Sequence, residues 1–241
     1  MKEKIRDNVV PKDKWVFDEE VAECFEDMLQ RSIPQYEIMR KSTFELASSF
    51  LEDKRKFSLL DIGCSDGLGL VDYLRRFGAH GHYLGIDCSE AMLNKAKERF
   101  SDYCEANICN FMNIDLRQKF PIGSYDVIQS ILSIMFIPIQ YRQSIIQSIY
   151  DNLNFGGCFL FVEKVLGNSA KIDNLLVEKY YDMKRQNGYS EEQILRKKLS
   201  LEGVQVPVTS NWNVDLLQQA GFRHIDVYWR YMNFVGYIAI K

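Results

Sequence analysis

The residues with the most obvious chemical use stand where an apolar run stops. Ser58-Leu59-Leu60-Asp61-Ile62 reads as a buried strand, and it runs straight into Gly63-Cys64-Ser65-Asp66-Gly67. A Gly-rich turn at the C-terminal end of a first strand is where a doubly wound sheet binds ligands. Gly63 lets the backbone approach a ligand closely, and Gly67 permits the turn into the next helix. The spacing D-x-G-x-x-x-G differs from the dinucleotide pattern G-x-G-x-x-G. Ser65 stands where the middle glycine would, which leaves less room for a pyrophosphate and argues against NAD. Asp87 closes the second strand, His82 to Asp87, and an acid there can accept hydrogen bonds from both hydroxyls of a ribose. Together the turn and the acid point to an adenosine-bearing ligand. Asn107 and Ile108, at the end of a third strand read from Tyr103 to Ile108, are placed to meet the adenine edge and face. Ser130, ending a fourth strand from Tyr125, falls beside the ligand's amino-acid portion. The catalytic candidates are Glu163, at the end of a fifth strand from Cys158, and Tyr189 for proton transfer, with Lys198 as a third.

The elements that must position these groups alternate. Strand patterns separated by helical patterns predict an α/β fold, a mostly parallel, doubly wound, Rossmann-like sheet with helices on both faces. Asn154-Phe155-Gly156-Gly157 reads as a turn before the fifth strand. Ahead of the sheet, residues 1–56 read as an arm and a helical lid. Residues 1–14 are charged, contain one proline and are expected to fray. Helices are expected over Phe17–Gln30, stopped by Pro34, and over Tyr36–Leu51. The ligand-binding domain, 57–241, carries a charged helical insertion over about 169–201 and ends in two strands, Phe222–Trp229 and Phe234–Ile240.

Composition sets the remaining bounds. The 241 residues are 46% hydrophobic and 26% charged, the balance of an ordinary globular protein. A formal net charge of −3 disfavours direct nucleic-acid binding, which calls for a basic surface. The first residues lack a secretory pattern, and no apolar run is long enough for a membrane span, so a cytoplasmic protein is expected. Six cysteines show no C-x-x-C pair and read as reduced, mostly buried thiols. His80-x-His82 falls short of the four ligands that zinc takes, so no metal is expected.

The loop Gly63-Cys64-Ser65-x-Gly67 resembles that of class I methyltransferases, and further segments resemble the carboxy-S-adenosyl-L-methionine synthase family of bacterial tRNA modification. Those segments are Phe17-Asp18-Glu19-x-Val21-Ala22-Glu23, Gln30-Arg31-Ser32-Ile33-Pro34-x-Tyr36, Lys184-Arg185-x-Asn187-Gly188-Tyr189-Ser190 and Asn233-Phe234. The resemblance covers roughly residues 15 to 241. It implies a class I methyltransferase fold, S-adenosyl-L-methionine or its carboxylated form in the site, and a homodimer. It also implies a reaction with prephenate that places a carboxyl group on the sulfonium methyl and releases phenylpyruvate, for later use by a partner enzyme on wobble uridine. By position, Tyr36, Asp61, Gly63, Cys64, Ser65, Gly67, Asp87, Cys88, Asn107, Ile108 and Ser130 would hold the cofactor.

The chain departs from the family pattern in places. The family grips the added carboxylate with an arginine where this chain has Lys198. It has an aspartate where Asn107 stands, and an asparagine within the stretch Ser130-Ile131-Leu132. Lysine keeps the charge and loses the planar fork. Three readings follow. Carboxyl transfer would use Arg31, Lys184, Arg185, Lys197 and Lys198 as a positive field for a dianionic donor, with Arg31 and Lys198 binding the substrate. Methyl transfer to a small acceptor would need chiefly alignment of the attacking atom. A non-catalytic protein that binds the nucleoside and acts through a partner is the third.

Overall fold

The computed structural model describes residues 5–241, so the start of the expected arm, residues 1–4, lies outside the described residues. The chain opens with two helices, α1 (Glu19–Ser32) and α2 (Tyr36–Ser49), then enters the sheet with β1 (Phe57–Ile62). There follow α3 (Val71–Phe77), β2 (Gly81–Asp87), α4 (Glu90–Arg99), α5 (Ser101–Glu105), β3 (Cys109–Asn113) and β4 (Tyr125–Ile131). The second half comprises α6 (Ile139–Asn152), β5 (Leu153–Leu166), α7 (Ala170–Gln186), α8 (Glu191–Leu201), β6 (Val208–Thr209), α9 (Ser210–Ala220), β7 (His224–Tyr231) and β8 (Phe234–Ile240).

The sheet order is β3-β2-β1-β4-β5-β8-β7, with β6 paired to the end of β5. Strands β1 to β5 are parallel, and β8 runs antiparallel between β5 and β7. This is the expected α/β, doubly wound, mostly parallel sheet, and it is the class I methyltransferase fold. Because helices cover both faces, the central strands are buried on both sides: all but the last residue of β4 are buried. One face packs Leu60, Ile128, Phe159 and Phe161 against α6 and α9. The other packs Leu59, Val127 and Leu160 against α3 and α4. The order reverses between β1 and β4, so a crevice opens beyond their C-terminal ends.

Helix starts follow their caps. Asp18 accepts from Val21 N–H, Ser89 from Met92 N–H and Ser169 from Ile172 N–H, and Ser190 with Gln193 forms a capping box. The insertion expected over 169–201 is the pair α7 and α8. No helix among the described residues is long and apolar enough to cross a membrane.

Three expectations change. The third strand begins at Cys109, not Tyr103, because residues 101–105 are helical: Cys104 N–H bonds Phe100 O at 2.9 Å and Ala106 N–H bonds Asp102 O at 3.1 Å. Phe100, Tyr103 and Cys104 pack on one cluster at helical spacing, the period that a short apolar run conceals. The expected turn at 154–157 is a bulge inside β5, with Leu153 and Cys158 paired to Tyr125 and Val127 and Gly156 at φ +75°. The described part of the arm does not fray. Asp7 is fully buried, Val9 and Trp15 pack on α1, and Trp15 N–H bonds Ser200 O at 3.0 Å.

Candidate active site

A cavity of about 590 Å³ lies in the crevice, floored by the ends of β1, β2 and β4 and roofed by α1, α2 and the insertion. Most of its wall is apolar, with Phe17, Phe25, Met28 and Leu29 hanging over it from the lid. Two groups of opposite charge break that wall.

The first group surrounds the glycine turn. Gly63 N–H and Cys64 N–H both donate to Ile86 O, at 2.8 and 3.0 Å, which pins the turn to β2. Gly63 is at φ +66°, and a Cβ there would lie 1.9 Å from Ser133 Oγ, so only glycine fits. Ser65 and Leu132, both on the cavity wall, hold left-handed conformations at φ +49° and +58°, strain of a kind that collects at functional sites. Asp87 accepts from Ser65 N–H at 3.0 Å and from Ser89 N–H at 2.9 Å. Burial raises its pKa and these N–H groups oppose the rise. Asp61 is almost fully buried. Its pKa is pushed up to about 7 by burial, with Arg40 pulling it down and Asp87 and Asp66 pushing it up. Asp66, also raised by burial, is paired with Arg99 at 2.7 Å. This end of the cavity is therefore rich in carboxyl groups and suits a cationic ligand.

The second group comes from the helical insertion. Lys184 on α7 and Lys197 on α8 line the same cavity and are 5% and 3% exposed. Lys197 pairs with Asp7 of the arm, which also accepts from the Tyr189 hydroxyl. Burial works against the charge on Asp7, yet Lys197, Tyr189 and Val9 N–H together hold its pKa below the ordinary carboxylate value. Lys184 has Tyr180 and Tyr189 rings at 5.5 and 5.0 Å. Its pKa is pushed down to about 7, first by burial and then by the like charges of Lys197 and Lys164.

Of the residues expected at the cofactor, Tyr36, Asp61, Gly63, Cys64, Ser65, Asp87 and Cys88 line the cavity. Gly67 does not; at φ +77° it makes the turn and packs on Phe100. Asn107 and Ile108 lie outside it, at the N-terminal end of β3, as the later start of that strand requires. Ile114 and Asp115, just past the other end of β3, occupy the cavity in their place. Ser130 is fully buried behind the wall, and Ile131 and Leu132 face the cavity instead.

The candidates for chemistry lie elsewhere. Tyr189 faces Asp7 and Ser32, the latter donating at 3.1 Å, and burial drives its pKa far up, which leaves it a poor base. Glu163 is buried beneath the turn Ser133–Phe136, with its pKa pushed up to about 8 by burial despite Arg142 and the N–H groups of Ile134, Met135 and Ser133. Arg142 braces the same turn through Met135 O and Ile137 O at 3.1 and 2.8 Å. Lys198 is exposed on α8, one residue from the lysine that lines the cavity. Arg31 holds the arm: it donates to Asp7 O, Asp27 and Asn187 O and covers the Tyr189 ring at 4.0 Å. Arg40 and Asp115 went unnoticed in the sequence, since neither sits in a motif. The i, i+3 burial of Ile194 and Lys197 was the available signal for Lys197 over Lys198.

Fold and site define a class I S-adenosylmethionine-dependent transferase. Residues 60–159 match the methyltransferase domain family. Solved structures of like fold include an O-methyltransferase family protein from Burkholderia thailandensis, with TM-score 0.65 and 14% identity over 93% of this chain and 60% of that one. Human N-acetylserotonin methyltransferase in complex with SAM has TM-score 0.57 and 15% identity over 92% of this chain and 55% of that one. Much nearer in sequence are three proteins named carboxy-S-adenosyl-L-methionine synthase. That of Methylococcus capsulatus is 35% identical over 95% of this chain and 94% of its own length. Those of Wolinella succinogenes and Nautilia profundicola are 36% and 34% identical, over 95% and 100% of both lengths. The chain belongs to the carboxy-S-adenosyl-L-methionine synthase family.

The residues present fit S-adenosylmethionine. A ligand bearing a sulfonium and an ammonium group matches the acidic end of the cavity, and the closeness of Gly63 to Ser133 leaves the turn no side chain to obstruct it. Asp87, Asp61, Ser65 and Tyr36 would hold it; the sulfonium supplies an electron-poor methyl carbon.

Proposed function

We propose that this protein makes carboxy-S-adenosylmethionine, taking the carboxyl group from prephenate. The observation that carries the reading is the polarity of this cavity: Asp61, Asp66 and Asp87 line it around the glycine turn, with Arg40 beside Asp61, and buried Lys184 and Lys197 line it from the insertion. A dianionic donor meets the lysine end while the cation meets the acids. For the atoms to balance, one methyl hydrogen of the cofactor and the donor's ring hydroxyl leave together as water. The donor's ring carboxyl becomes bonded to the methyl carbon, and phenylpyruvate departs. In this chain the apolar lid excludes water, Tyr36 and Asp87 orient the cofactor, and the lysine end of the cavity receives the donor. The names of the relatives, at 34–36% identity over nearly the whole chain, support the same reading.

The test is incubation with S-adenosylmethionine and prephenate, followed by mass spectrometry of the ligand and assay of phenylpyruvate. Methyl transfer to a small acceptor is the second reading, favoured by the exposure of Lys198 outside the cavity. Its mark would be S-adenosylhomocysteine formed with an added acceptor and no response to prephenate.

The same proposal places the protein in the cytoplasm, as supplier of a small molecule to a separate enzyme of tRNA modification. The net charge of −3 fits a protein that does not itself grip RNA. It also makes the protein a homodimer. Ile172 and Leu175 on α7 and Leu195 and Leu199 on α8 are about half exposed, at helical spacing that suits burial against a second copy. Light scattering on the purified protein measures this, and a monomer mass would remove it.

A further inference from the structure

We propose that Lys184 is the anchor for a carboxylate of the second substrate and sets the site's preference for anionic donors. The inference rests on the carboxyl-transfer reading and assigns its donor subsite. Lys184 stands in the last turn of α7, 5% exposed, on the cavity wall. Among the described residues its ammonium has no hydrogen bond and no ion pair; the faces of Tyr180 and Tyr189 lie at 5.5 and 5.0 Å, and Asp7 is the acid whose charge reaches it. The other cations of the cluster are engaged. Lys197 on α8 pairs with Asp7, and Arg31 on α1 spends its N–H groups on Asp27, Asp7 O and Asn187 O. Lys164 on β5 stands over Tyr180 at 4.7 Å with Asp173 as its neighbouring charge.

An ammonium buried without a counter-charge is unfavourable in a finished site. A carboxylate entering the cavity supplies that counter-charge. Asp7 is the nearest acid of the cluster, and it is committed to Lys197 and Tyr189. Rings on two sides fix the direction in which Lys184 can reach, so an arriving carboxylate is both attracted and placed. Burial, and after it the like charges of Lys197 and Lys164, press its pKa down to about 7, which adds a signature. Below that pH Lys184 is charged and ready; above it, donor binding must first bring back a proton, so the donor KM rises with pH through this range. Asp7 opposes this drift, while Lys197, Lys164 and Arg31 reinforce it.

The test uses full-length Lys184→Met and Lys184→Arg. Methionine replaces a buried unpaired charge with an apolar side chain of similar length, so the variant keeps its fold. The readouts are cofactor Kd, donor KM against pH, and prephenate binding to the cofactor-loaded protein by calorimetry. Lys184→Met is expected to raise donor KM about 10- to 100-fold, flatten its pH dependence and leave cofactor Kd within about twofold. Lys184→Arg is expected to bind donor well with no rise in KM near neutral pH, because arginine stays charged. A wild-type KM and pH profile in Lys184→Met overturns the inference while carboxyl transfer stands. Lys184-dependent prephenate binding without carboxylated product sustains the anchor and overturns the proposed reaction.

Discussion

Glu163 provides the sharpest test of how the site is built. It is 2% exposed on β5, its Oε1 has no hydrogen-bond partner among the described residues, and burial pushes its pKa up from 4.5 to about 8. The folded protein thus holds a proton that the unfolded chain releases once the pH passes 4.5. The folded state binds more protons throughout that window, so stability falls as pH rises from 4.5 to about 8 and levels off beyond. Keeping the group protonated at about pH 7 costs on the order of 3 kcal/mol, from 1.36 kcal/mol per pH unit above the unfolded pKa. Glu163→Gln keeps the neutral shape and removes the titration. Urea unfolding should find the variant more stable than wild type by up to about 3 kcal/mol near pH 7 and by under about 1 kcal/mol near pH 5. Turnover should persist, because Glu163 lies beneath the turn Ser133–Phe136 and does not line the cavity. A stability difference independent of pH would refute the protonation argument. Loss of turnover in a folded variant with normal cofactor affinity would make Glu163 the base after all.

Other perturbations have comparably definite outcomes. Gly63→Ala sets a Cβ 1.9 Å from Ser133 Oγ at φ +66°, so thermal unfolding should show a loss of more than about 1 kcal/mol and calorimetry a weaker cofactor Kd. Asp87→Asn turns an amide N–H toward Ser65 N–H or Ser89 N–H and drops a charge, which should weaken cofactor binding about 10- to 100-fold in a titration. Asp7→Ala strands Lys197 in the interior; denaturant curves should lose about 3–5 kcal/mol, and adding Lys197→Met should restore most of it. An additive double variant would mean that the two residues act separately.

The acidic end of the cavity was legible in the sequence because it is written in strand ends. Asp61, Gly63 and Asp87 each follow a strong apolar run, and parallel topology sends all such ends to one crevice. The third strand failed because Tyr103 and Cys104 are apolar residues on a five-residue helix, where strand and helix periods cannot be told apart. That one shift carried Asn107 and Ile108 out of the site and hid Ile114 and Asp115. The lysine end of the cavity was legible only as a charge excess. A run of Arg196, Lys197 and Lys198 does not say which side chain turns inward; the phase of α8 does, through buried Ile194 and Ser200. The arm misled for a related reason. Its charges suggested solvent, yet Asp7 is the counter-ion that Lys197 requires.

The most direct test of the central claim is to incubate the purified protein with S-adenosylmethionine and prephenate labelled isotopically in its ring carboxyl, then weigh the sulfonium product. The account predicts a labelled, carboxylated S-adenosylmethionine with one phenylpyruvate per label transferred. Unlabelled S-adenosylmethionine beside intact prephenate, from protein that binds both, would contradict it.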